Sequence, residues 1–149
     1  MNENPYRFNE DPLIRSGLIL SGANKAWLGE SPPKGQEDGI LTAYEISHLD
    51  LTDTELVVLS ACETGLGDID GTEGVYGLQR GFKLAGVKYI IMSLWKVPDH
   101  ETQELMVLFY KKWLEGGLEI PEAFRAAQQE MRKKYEHEPE KWAGFVLSC

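Results

Sequence analysis

Cys62 stands where this chain is best arranged for chemistry. The stretch from Glu55 to Gly67 reads ELVVLSACETGLG: an apolar run, then a thiol, a carboxylate, a hydroxyl and two glycines. A thiolate attacks a carbonyl carbon when a base takes its proton and donors hold the oxyanion that forms. A strand that gives way to a loop at the thiol presents it rigidly. The Cys62 amide can serve as one oxyanion donor, and Gly65 and Gly67 let a substrate backbone come close. The residues alone leave a second reading open, because cysteine is also a small apolar side chain that fills cores without reacting. Glu63 and Thr64 read equally well as groups that bond the turn.

Histidine is the usual base for such a thiol, and the chain has three. His137 lies in the charged segment KKYEHEPE and reads as a surface residue. His48, in EISHLDL, belongs to an element before the cysteine strand, which places it toward that strand's amino end and away from the thiol. His100 follows Asp99 beyond the next strand. It reads either as a substitute base or as a first-turn helix residue facing water.

The elements that would position these groups alternate between strand and helix, which predicts an α/β fold with a mostly parallel sheet. LIRSGLILSGA carries a short strand, and WLGESPPKGQEDG is a surface loop. ILTAYEISHLDL predicts a short helix capped by Thr42, with Leu41, Tyr44, Ile46 and Leu49 at helical spacing. ELVVLSAC and KYIIMSLW predict strands buried on both faces. The helix between them carries the stripe Val75, Leu78, Phe82, Ala85 and stops at Gly86. Two further helices follow. The first has Asp99 as cap, the core face Leu105, Phe109, Trp113 and a stop at Gly116 and Gly117; the second has Pro121 in its first turn and Phe124, Ala127, Met131 facing inward. WAGFVLSC closes the chain as a last strand. Open parallel sheets bind ligands at the carboxyl ends of their strands, so Cys62 and the WKVPDH segment are expected on one edge, with strands near 56–60 and 88–93 parallel.

At 149 residues with 42% apolar content, the chain is one domain or a large part of one. The net charge of −9 argues against a nucleic-acid or anionic-membrane surface and is compatible with cationic partners such as Arg- or Lys-containing peptides. The two cysteines, Cys62 and Cys149, form no CxxC pair and no zinc-type cluster, so no metal or cofactor is expected. MNENPYRFNEDPLIR lacks the apolar core of a signal peptide, and no apolar run approaches the roughly 20 residues that span a bilayer. A reducing cytoplasm is the expected location.

The run from ELVVLSACETGLG to SLWKVPDHET, together with the terminal WAGFVLSC, resembles the CHAT domain. That family consists of caspase-like cysteine peptidases related to separase and often follows tetratricopeptide (TPR) repeats. DPLIRSGLILSGAN and DGILTAYEISHLDL are similar to its segments too, so the resemblance covers nearly the whole chain, and SACETGLG is a specific signature. The resemblance implies a caspase-like α/β sheet with flanking helices and Cys62 as the nucleophile. It also implies hydrolysis of a peptide bond, commonly after a basic residue. SLWKVPDHET is similar to the segment lining the primary substrate pocket, where Asp99 offers a carboxylate to an Arg or Lys side chain. The family's catalytic histidine, with the glycine that adds an oxyanion donor, precedes the region matching DPLIRSG. On that reading residues 1–149 are the C-terminal, nucleophile-bearing portion of the domain, without its first strands and silent until the histidine-bearing portion completes it. An uncovered sheet edge would then pair with a second copy. The alternative is a non-catalytic interaction or scaffold module that keeps the fold, and a third is an acyl-transfer enzyme using Cys62 and His100.

Overall fold

The computed structural model describes residues 9–60 and 71–149. They fall into two compact units, one formed within residues 1–55 and 63–88, the other within 56–62 and 89–149.

In the first unit, β1 (Gly17–Ile19) pairs antiparallel with β2 (Ile40–Thr42), from Gly17↔Thr42 to Ile19↔Ile40. Helix α1 (Ala23–Trp27) lies between them in sequence. Thr42 then caps α2 (Ala43–Ser47) through a capping box: its hydroxyl accepts the Glu45 amide, while the Glu45 carboxylate takes the Thr42 amide and hydroxyl at 2.8 and 2.7 Å. The helix expected over ILTAYEISHLDL is therefore a strand followed by a five-residue helix. The Thr42 cap sets the helix start, and the apolar residues before it pair with β1 instead of joining the turn. Tyr44 and Leu49 are exposed, and the buried pair is Ala43 and Ile46, three apart on one face. Helix α3 (Gly71–Leu84) buries the predicted stripe of Val75, Leu78, Phe82 and Ala85. It ends at Gly86, whose φ of 103° is the left-handed stop that glycine adopts without strain.

The second unit is a three-stranded sheet in the order β3–β4–β5, with β3 at Leu56–Leu59, β4 at Tyr89–Ser93 and β5 at Phe145–Ser148. The β3–β4 pair is parallel, running from Leu56↔Tyr89 to Leu59↔Met92. The β4–β5 pair is antiparallel, from Ile90↔Ser148 to Ser93↔Phe145. The α/β class stands, but the described sheet has one parallel and one antiparallel pair where a mostly parallel sheet was expected. An antiparallel edge strand is common in such sheets. The central strand is the buried one: Ile90, Ile91, Met92 and Ser93 are all inside. All four residues of β3 are only half-buried, because among the described strands β3 has a partner on one side alone.

Helix α4 (Asp99–Tyr110) runs on as a π-helical turn, Lys111–Glu115, before Gly116 and Gly117. Helix α5 (Ile120–Lys134) follows, with proline in its first turn. Leu105 and Phe109 of α4 meet Ala123, Phe124, Ala127 and Met131 of α5 in one core with Ile91 and Phe145 of the sheet. Phe109 stacks on Trp113 at 5.7 Å between ring centroids and meets Phe124 edge-on at 6.0 Å. Polar contacts fasten the two helices outside this core: Lys134 to Glu104 at 2.6 Å, the Tyr135 hydroxyl donating to Glu104 at 2.8 Å, and Lys112 to Glu130 at 2.9 Å.

Candidate active site at the carboxyl ends of β3 and β4

Because β3 and β4 are parallel, their carboxyl ends share one edge of the sheet, and Leu59↔Met92 is the last register pair there. Cys62 follows Leu59 by three residues and lies outside the described residues, as do Glu63, Thr64, Gly65 and Gly67.

The other wall of the edge is described in full. Beyond β4 the backbone is held by β5's approach: the Leu94 amide donates to the Gly144 carbonyl at 2.7 Å. Trp95 stands next, 41% exposed, with its indole N–H donating to the Glu140 carbonyl at 3.2 Å. KYIIMSLW thus ends as a strand at Ser93, and Trp95 is not part of a buried strand. Val97 turns back into the core. Pro98, at φ −57° and ψ 145°, is the N-cap of α4, and its carbonyl accepts the Thr102 amide at 2.9 Å. That bond starts the helix one residue earlier than expected. Asp99 therefore sits inside the first turn, exposed, and the α4 cap carries no side-chain hydrogen bond. Its charge still suits the helix N-terminus.

All three histidines are exposed. His48 is the C-cap of α2, and its Nδ1 lies 2.8 Å from the Tyr44 carbonyl, to which it can only donate. His100 sits in the first turn of α4, on the face shared with Gln103, Glu104 and Val107. His137 is on the surface as expected. Glu104 is held below the ordinary carboxylate range, first by the hydrogen bond from Lys134, and it raises the hydroxyl of Tyr135 in turn. Among the described residues no group of histidine, cysteine and carboxylate side chains could hold a metal ion. Nor is any helix among them long and apolar enough to cross a membrane. Cys149 is a free, exposed thiol.

Trp95 departs from the apolar run KYIIMSLW; the signal in the sequence is the pair Lys96 and Pro98 just beyond it, which cannot continue a buried strand.

The parallel strands β3 and β4 end on one edge of the sheet, and SLWKVPD follows β4 there. The CHAT domain family model matches residues 6–149, and the chain belongs to that family. It is also similar to tetratricopeptide repeat protein 28 of Homo sapiens, 31% identical over 123 residues, which is 80% of this chain. The chain spans 5% of that relative's length.

Proposed function

We propose that this chain carries the nucleophile of a caspase-like cysteine endopeptidase, with Cys62 attacking the scissile carbonyl and Asp99 receiving a basic side chain before the cleaved bond. The observation that carries the reading is the parallel register ending at Leu59↔Met92, three residues before Cys62 in the sequence and immediately before SLWKVPD. In the reaction the Cys62 thiolate adds to the carbonyl carbon, and backbone amides hold the oxyanion. The amine leaves with a proton from the base, and water then hydrolyses the thioester. The base is a histidine supplied from outside these 149 residues. The exposure of His48, His100 and His137, and the engagement of the His48 Nδ1 by its own helix, support that assignment. TPR repeats are the neighbouring elements that the similarity to a tetratricopeptide repeat protein supports, and the cytoplasm is the proposed location.

The test compares the 149-residue chain with a longer polypeptide that adds a histidine-bearing segment, using peptides with arginine before the scissile bond. The longer form should cleave, and lose cleavage in Cys62→Ala by several powers of ten, while the chain alone stays silent. Cleavage that survives Cys62→Ala overturns the reading. Robust cleavage by the chain alone, abolished in His100→Ala, would move the base to His100. A second reading, a non-catalytic interaction module, is favoured by one observation: Val107 and Leu114 stand 47% and 67% exposed on the outer face of α4 and its π-turn.

A further inference from the structure

We propose that the outer face of α4 is a self-association surface, on which a second copy of this chain lays its own α4 antiparallel, about a two-fold axis at Val107. The inference is independent of the peptidase reading. Leu105 and Phe109 bury the inner face of the helix in the core. On the other side Val107, Tyr110 and Leu114 are all exposed. They follow one another at intervals of three and four residues, so they form a single stripe. Tyr110 is held in it by ring contacts with Phe109 and Trp113, at 5.0 and 6.0 Å between centroids. The π-helical turn prolongs the stripe: Trp113 stacks on Phe109, and Leu114 beside it is left in solvent. Two grooves that share Gln103 and Val107 run along this face, one reaching back to His100 and the other on to Glu115. From Asp99 to Glu115 the face is about 25 Å long, which is the length of another such helix.

The order of charges along the grooves singles out the occupant. Lys111 and Glu115 are exposed, and among the described residues neither forms an ion pair. Lysine stands four residues before glutamate, the weaker order for a pair within one helix. With a two-fold axis at Val107, His100 of one copy comes opposite Glu115 of the other, and Glu104 opposite Lys111. Each contact is made twice by symmetry. Glu104 already holds Lys134 and the Tyr135 hydroxyl, and a carboxylate has room for a further donor. Parallel copies in register would instead set Lys111 on Lys111 and Glu115 on Glu115, a like-charge penalty that selects the antiparallel arrangement. A foreign helix would cover the apolar stripe equally well; the reciprocal charges are what a second copy supplies. One helix face is smaller than the roughly 800 Å² per partner of a standard interface, and two chains of net charge −9 repel. The association is therefore weak, with a dissociation constant of about 10–100 µM.

The test is sedimentation equilibrium of the 149-residue chain from about 5 to 500 µM, in reducing buffer so that Cys62 and Cys149 stay thiols. The average mass should rise with concentration from that of one chain toward that of two. Val107→Arg sets two like charges face to face at the axis and should weaken the dimer more than tenfold. Glu115→Lys takes the carboxylate from His100 of the other copy and should weaken it about threefold. Its lysine suits a helix C-terminus, so this variant keeps the test alive if Val107→Arg does not fold. Adding His100→Glu to Glu115→Lys restores an opposite-charge pair in the same register and should recover the parent affinity. A chain that stays monomeric throughout the range would overturn the proposal. So would a dimer that ignores Val107→Arg and Glu115→Lys, which would put the contact on another surface. A double variant no tighter than Glu115→Lys alone would overturn the antiparallel register. Cleavage assays do not bear on any of these outcomes, so the peptidase reading stands or falls separately.

Discussion

Gly144 lies directly beneath Trp95 and Val97: a Cβ at Gly144 would stand 2.5 Å from Val97 Cγ2 and 2.9 Å from two atoms of the indole. The contact ties the chain entering β5 to the chain leaving β4, so one glycine sets how closely the last strand approaches the edge where the candidate site is built. Gly144→Ala should therefore destabilise the protein by about 1–3 kcal/mol, the range for forcing extra volume into a packed site. Denaturant unfolding should show a lower midpoint with an unchanged slope. A midpoint within error of the parent would mean that the Trp95 ring swings aside freely.

The capping box at Thr42 joins β2 to α2 with no intervening loop. The Thr42 hydroxyl both accepts from the Glu45 amide and donates to the Glu45 carboxylate. Thr42→Ala should cost about 1 kcal/mol. Glu45→Gln retains an acceptor at the third helical position and should cost less. Thermal melts of the two variants give the order, and the reverse order would show that the Glu45 charge, not the cap, holds the helix start.

The link from α4 to the end of α5 makes a pH prediction. Glu104 has a folded pKa below its ordinary value because Lys134 donates to it. A depressed carboxylate contributes stability that is present above the unfolded value, about 4.3, and is lost as pH falls through the lower folded value. Lys134 and Tyr135 are both raised, chiefly by Glu104. Their contribution is present below their unfolded values, near 10, and is lost as pH rises through the raised ones. The advantage of the parent over Glu104→Gln should thus form a plateau from about pH 5 to 9 and shrink on both sides. It should be small, since the Lys134 side chain is 55% exposed, and smaller still at high salt. A difference that grows below pH 4 would contradict the sign.

The long amphipathic segments were legible in the sequence because burial enforces their period: Val75, Leu78, Phe82 and Ala85, and then Leu105 and Phe109, lie on the faces that their spacing assigns. The parallel pairing of β3 and β4 was legible for a related reason, two apolar runs separated by one amphipathic helix. Three-residue strands carry no such period, so Ile40–Thr42 merged with the helix that follows it. The start of α4 lies one residue before the place that Asp99 suggests, because the carbonyl that accepts the first helical bond belongs to Pro98, a residue that cannot cap with a side chain. Trp95 was hidden by its own hydrophobicity. What holds it at the surface is Gly144 and Glu140, more than 40 residues away, and no local pattern records that contact.

The position of Asp99 changes what its removal should do. As a helix cap its loss would cost stability whatever the substrate. As a carboxylate buried beside a nucleophile its loss would cost 2–5 kcal/mol of transition-state stabilisation, the range for unpairing a desolvated charge. Asp99 is neither: Pro98 holds the cap position and Asp99 is exposed. Its charge at the α4 N-terminus is worth about 0.3–1 kcal/mol of stability. An exposed pair with an incoming arginine is worth up to about 1 kcal/mol, or roughly fivefold in rate. Asp99→Asn and Asp99→Ala should therefore behave alike, each lowering the melting temperature slightly and each reducing cleavage after arginine about fivefold, with cleavage after alanine unchanged. The measurement is kcat/KM on matched arginine and alanine peptides in a form of the domain that contains the base. An equal loss on both peptides, following the melting temperature, would leave Asp99 with only its helix. A loss of a hundredfold or more on arginine alone would mean that the pocket closes around Asp99 once the domain is complete, so that the carboxylate acts as a buried partner.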